Sequence, residues 1–135
     1  MEEDSDLELE ENLEKIVAAL RQIQDDGGDG NFVKFMADPM KNYYIIFIGE
    51  LAEDNLFAEA VSNEFLDWPH ELTRAQENRL RALGWQDGEA NFSQEWSAHN
   101  DEDRQEIAHI VMQTFQDVYD IPSSHDIEIT INLWE

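Results

Sequence analysis

The residues with the most chemical promise are carboxylates and histidines. Asp25-Asp26-Gly27-Gly28-Asp29-Gly30 resembles the opening of a calcium loop. An EF-hand wants oxygen ligands at its first, third and fifth positions, glycine at the sixth and a bidentate glutamate at the twelfth. Counted from Asp25, the third position is Gly27 and the twelfth is Met36, so two ligands are missing, and the stretch reads as a turn. The histidines are His70, His99, His109 and His125. No pair has the i, i+4 spacing of a helical zinc site, and there is no cysteine to assist, so no metal site is predicted. His109 falls beside the apolar side of a helix and reads as a partly buried structural residue.

Nucleophilic and phosphate chemistry have no carrier. The chain lacks a G-x-S-x-G elbow, a glycine-rich phosphate loop and an H-E-x-x-H pair. Carboxylates are abundant, but a pair does acid–base work only in a cleft that splits its pKa values. No catalytic residue and no cofactor are predicted, and the chain reads as a non-enzyme, with an enzyme using clustered carboxylates and a divalent metal as the lesser alternative. Arg74, Arg79 and Arg81 lie close together on one helix and read as local charge balance.

Glu59 is the acid of most interest. It shares an alternating run with Phe57 and Val61 and is followed by Ser62-Asn63. That run reads as the border of a partner-binding surface carried by Phe57, Glu59, Val61 and Asn63. The plainer alternative for Glu59 is a rim position facing solvent. Trp134 alternates outward with Glu128, Thr130 and Asn132, so it reads either as a further interface anchor or as packing on a neighbouring loop. The other tryptophans, Trp68, Trp85 and Trp96, lie near element ends and read mostly as core lids.

The elements that would position these residues follow from periodicity. Leu9, Leu13, Ile16, Leu20 and Ile23 make one stripe of an amphipathic helix, behind a solvated acidic tail over residues 1–6. Strands are predicted over Phe32–Met36, Tyr43–Ile48 and Leu56–Ser62, joined as an antiparallel meander. Tyr43–Ile48 is apolar on both faces, which predicts cover on both sides. Thr73-Arg74-Ala75-Gln76 is a capping box opening a second helix. That helix ends at Leu83, with Gly84 left-handed and Trp85 packing back on Leu80. Residues 86–99 have no clear pattern. Asn100 caps a third, acid-started helix carrying Ile107, Ile110, Val111, Thr114, Phe115 and Val118. Ile127–Leu133 alternates as a last strand with one wet face.

The predicted fold is therefore α+β: one antiparallel sheet packed with helices, in the order α-β-β-β-α-(β)-α-β, forming a single domain over 1–135. The length of 135 residues suits one core. The formal net charge of −24 excludes nucleic acid and anionic membranes as partners, because both would be repelled. No apolar run approaches the roughly 20 residues needed to span a bilayer. The acidic start Met1-Glu2-Glu3-Asp4 is unlike a signal peptide, so the expected compartment is the cytoplasm.

The middle of the chain resembles the bacterial TY-Chap and YbjN-like group, related in fold to type III secretion chaperones. The resemblance rests on Ala58-Glu59-Ala60-Val61-Ser62-Asn63, on Leu72 to Gln76, on Leu80-Arg81-Ala82-Leu83-Gly84-Trp85 and on Asn91-Phe92. The helix from Ile107 to Tyr119 completes it. Gln86-Asp87-Gly88 departs from the group's pattern, which often has a proline nearby. The resemblance implies a two-layer α/β sandwich and a peptide-binding chaperone or regulator that holds a protein or peptide client. It also implies an acidic homodimer without ATPase activity.

Overall fold

The structure is a computed structural model and describes residues 2–26, 31–49, 53–88, 90–122 and 125–133; for residues 2–7 it describes the backbone alone. Helix α1 spans Glu2–Asp25, so the stretch read from sequence as a solvated tail continues the helix. Strands β1 (Asn31–Asp38), β2 (Tyr43–Gly49) and β3 (Asn55–Ala60) follow. A 3₁₀ turn, Asn63–Phe65, leads to helix α2 (Arg74–Ala82). Then come β4 (Gln86–Asp87), β5 (Phe92–Ser97), helix α3 (Asp101–Asp117) and β6 (Glu128–Asn132).

The strands form one sheet in the order β4-β5-β3-β2-β1-β6, antiparallel at every junction. The meander β1-β2-β3 matches the sequence reading. The patternless segment supplies β4 and β5, because Phe92, Gln94 and Trp96 turn to the same side as Ala60, Ala58 and Leu56 of β3.

Side-chain alternation divides the sheet into two faces. Val33, Phe35, Ala37, Tyr43, Ile45, Phe47, Leu56, Ala58 and Ala60 are buried beneath the helices. Ile16, Leu20 and Ile23 of α1 and Ile107, Val111 and Phe115 of α3 complete that core. Ile110 of the predicted stripe is only half-buried. The Trp85 ring, at the end of α2, meets Trp96 edge-on, and Trp96 stacks on Phe47. All three helices therefore lie on one side, and the molecule is a two-layer sandwich.

The helix ends are fastened as the sequence foretells. Thr73 Oγ1 accepts from Gln76 N, and Gln76 Oε1 accepts from Thr73 N at 2.8 Å. Trp85 N donates to Leu80 O at 3.0 Å and Gly84 N to Arg81 O at 3.1 Å, with Gly84 at φ +99°, which glycine adopts without the Cβ clash other residues suffer. Asn100 Oδ1 accepts from Asp103 N at 2.9 Å. Asn31 caps the other end of α1, donating to the carbonyls of Ile23 and Asp26. The calcium-like stretch lies mostly in residues 27–30, outside the described residues.

A buried polar cluster locks α1 to α3. Arg104 Nε donates to Gln24 Oε1 at 2.8 Å, while Gln24 Nε2 donates to the carbonyls of Glu53, Asp54 and Ala98. Arg104 and Arg21 both donate to the Asp101 carboxylate. Those hydrogen bonds, chiefly the one from Arg104, hold the Asp101 carboxyl below its usual range.

One expectation is corrected here. Tyr43, Ile45 and Phe47 are covered, but Tyr44, Ile46 and Ile48 point to the opposite face, where no helix lies. The run is apolar on both sides, and among the described residues helices cover only one of them.

Candidate functional site

The uncovered face is the candidate site. The strand register arranges it in rows across the sheet. Asn132, Phe32, Ile48, Phe57 and Glu95 stand side by side in one row. Thr130, Lys34, Ile46, Glu59 and Ser93 form the next, and Glu128, Met36 and Tyr44 begin a third. Phe57 is 38% exposed and Ile48 is 36% exposed; Phe32, Met36, Tyr44 and Ile46 are half-buried. The face is thus an apolar bar with polar ends.

Phe57 lies where three recesses meet. One, of about 230 Å³, runs toward Ile48, Glu53, Asn55 and Glu95. Another, of about 360 Å³, passes Gln94 and Glu95 toward Gly84 and Gln86, where β4 begins. The third, of about 460 Å³, lies between Glu59 and Gly88, Ala90 and Asn91. Beyond β4, residues 94–97 of β5 have no strand on their outer edge, and β6 pairs only with β1 among the described residues. Both edges present backbone groups that a further strand can pair with.

The border near Glu59 is built from amides. Asn91 Oδ1 accepts from Ser62 N at 3.0 Å, and its Nδ2 lies 3.3 Å from Glu59 Oε1 and 3.4 Å from Tyr44 Oη. Ser62 Oγ donates to the Ala90 carbonyl. A Cβ at Gly88 would collide with the Asn91 carbonyl oxygen, so this turn needs glycine. The network holds Ala90 and Asn91 beside the open face.

The residues singled out from sequence separate under this geometry. Phe57 and Glu59 do share the open face. Val61 does not: β3 ends at Ala60, alternation stops there, and Val61 is fully buried. Its carbonyl accepts from the Tyr119 hydroxyl at 2.8 Å, and burial drives that phenol's pKa well above its usual value. Asn63 turns inward too, donating to Leu72 O at 3.0 Å and accepting from Leu72 N at 2.6 Å, so it clamps the segment leading to α2. Trp134 lies outside the described residues. Trp85 is buried and donates to Thr114 Oγ1 at 3.0 Å, whereas Trp68 is no lid: it is 84% exposed. His109 is exposed on α3.

Sequence reasoning missed Ile46, Ile48, Phe32 and Glu95 as parts of the site. The double-sided apolarity of β2 was the available signal. Nothing in the sequence says that one side lacks a cover. Glu95 lies in the segment with no clear pattern.

Among the described residues no cluster of three or more His, Asp or Glu side chains is placed to hold a metal ion. Among them, too, no helix is long and apolar enough to cross a membrane. Arg79 pairs with Asp117 at 2.7 Å and Arg81 with Asp87 at 3.1 Å, so these two arginines are matched locally. The open face offers apolar area, carboxylates and open strand edges.

No curated protein and no solved structure matches this chain. One family model does, across residues 7–131, nearly the whole chain. Its description is TY-Chap3, "T3SS (YopN, CesT) and YbjN peptide-binding chaperone 3", and the chain belongs to that family.

Proposed function

We propose that this protein is a non-enzymatic chaperone module that holds an extended segment of a client protein on its uncovered sheet face. The observation that carries the reading is the apolar row Phe32–Ile48–Phe57, left without cover on a chain of net charge −24. Monomeric proteins seldom expose contiguous apolar area without a use for it. Each apolar side chain a client buries contributes about 1.5–3 kcal/mol, and pairing along a free strand edge adds direction. The family description, a peptide-binding chaperone, points the same way. Phe57 and Glu59 are the contact residues; the acidic surround keeps the apolar face from self-aggregation in the cytoplasm.

Titration of labelled client-derived peptides tests this. Saturable binding that Ile46→Asp abolishes supports it, and binding indifferent to that change removes the open face from the account. A second copy of the chain is the other natural cover for this face. Light scattering of the wild type and of Ile46→Asp reads it: a homodimer through this face becomes monomeric in the variant.

A regulator docking one folded partner is a second reading, favoured by exposed Trp68, Phe65 and Met40. Asn42 Nδ2 donates to Phe65 O, which ties the β1–β2 turn to that connector. Under this reading Trp68→Ala weakens the partner complex and Ile46→Asp leaves it intact.

A further inference from the structure

We infer that the Phe57 end of the open face selects clients by an arginine in the held segment, an inference that rests on the peptide-holding reading above. Three carboxylates, Glu53, Glu59 and Glu95, line the recesses that meet at Phe57, and no lysine, arginine or histidine lines any of the three. Among the described residues none of these carboxylates takes part in an ion pair.

Seven of the chain's eight lysines and arginines are engaged by its own groups, and the eighth, Arg74, is exposed at the start of α2. Lys15, Arg21, Arg79, Arg81 and Arg104 each pair with an aspartate. Lys34 lies over the Tyr44 ring at 4.7 Å and Lys41 near the Tyr43 ring. An exposed aromatic ring bordered by unmatched carboxylates is complementary to a cation, and to arginine above lysine. The guanidinium stacks on a ring face and offers a planar fork to a carboxylate, whereas an ammonium is a strongly hydrated point charge.

The register sets what lies beside that arginine. Glu95, Phe57, Ile48 and Phe32 follow one another across four strands, and neighbouring strands lie about 4.8 Å apart. An extended segment crossing them places alternate side chains about 6.6–6.8 Å apart on the side facing the sheet. With its arginine over Phe57 and between Glu59 and Glu95, the residue two positions away falls over Ile48 and Phe32. The client signature is therefore arginine and a large apolar residue separated by one position.

Fluorescence anisotropy with two synthetic peptides tests this on the full chain. One carries Arg-Ser-Leu in an extended Ser/Thr-rich frame; the other is its Arg→Gln counterpart. Expected is binding of the arginine peptide about tenfold tighter than its counterpart, with Glu95→Gln and Glu59→Gln each shrinking that ratio. Glu106→Gln, on the exposed face of α3, removes the same charge far from the site and should leave the ratio unchanged. Equal binding of the two peptides overturns the arginine preference while leaving peptide holding intact. A ratio that falls as much in Glu106→Gln as in Glu95→Gln also overturns it, by reducing the effect to overall charge. If neither peptide binds and client-derived peptides also fail, the peptide-holding reading falls and this inference with it.

Discussion

Strand β2 carries two nearly identical sets of side chains with opposite fates. Tyr43, Ile45 and Phe47 are sealed beneath α1 and α3, while Tyr44, Ile46 and Ile48 line a face with no helix over it. Strand β3 repeats the contrast: Leu56, Ala58 and Ala60 are buried, and Phe57 and Glu59 look outward. The covered face supplies stability. The open face leaves Phe57 and Ile48 more than a third exposed. Hydrophobicity alone does not separate these roles; the position of the helices does.

The sharpest way to break the comparison is to place the same charge on both faces of β2. Ile45→Asp should prevent folding, because an unpaired carboxylate in the core costs several kcal/mol and whole domains have only about 5–15 kcal/mol to lose. Ile46→Asp should fold and lose peptide binding. Circular dichroism melts with peptide titration decide it, and an unfolded Ile46→Asp would mean the open face is structural.

Truncating an aromatic on each face is the next test. Phe47→Ala should cost about 3–5 kcal/mol in urea unfolding, since it empties a site packed against Phe35 and Trp96. Phe57→Ala should cost less than about 1 kcal/mol and abolish binding of the arginine peptide.

Asn63 sharpens the border between the faces. Asn63→Ala leaves both Leu72 backbone groups without their amide partner and should cost about 1–3 kcal/mol, with peptide affinity changed little. A large affinity loss at unchanged stability would return Asn63 to the binding surface.

The smallest effect belongs to the helix layer. The folded-state pKa of Asp101 is depressed by its hydrogen bonds from Arg104 and Arg21. A depressed carboxylate contributes stability above its unfolded value, about 3.9, and loses it as pH falls through the folded value. Asp101→Asn should therefore flatten the acid limb of stability below about pH 4. Peptide binding at neutral pH should not change. Urea midpoints at pH 3 and pH 7 check the sign.

Much of this architecture is local and was legible in the chain. The capping box at Thr73 and Gln76, the left-handed Gly84 and the Asn100 cap depend on residues within one turn of each other. The helix stripes and the β1–β2–β3 meander follow from period alone. Strand β5 escaped because only Phe92, Gln94 and Trp96 face the core and a glutamine breaks the alternation. Phe57 and Glu59 were legible for the same local reason, as neighbours in one strand. Val61 was misplaced because alternation predicts only as far as the strand runs, and β3 stops one residue earlier. The clamp of Asn63 on Leu72, nine residues on, has no signal in local periodicity.

Sequence by itself determined the three helices, strands β1, β2, β3 and β6, the caps at Thr73, Gly84 and Asn100 and the acidic surface, since each depends on residue type and short-range spacing. Tertiary structure decided which side of the sheet the three helices cover. It joined Phe32, Ile48, Phe57 and Glu95 from four strands into one row, and it drew Val61 and Asn63 inward. Those outcomes depend on the register between distant strands and on where the helices pack, which no local spacing encodes.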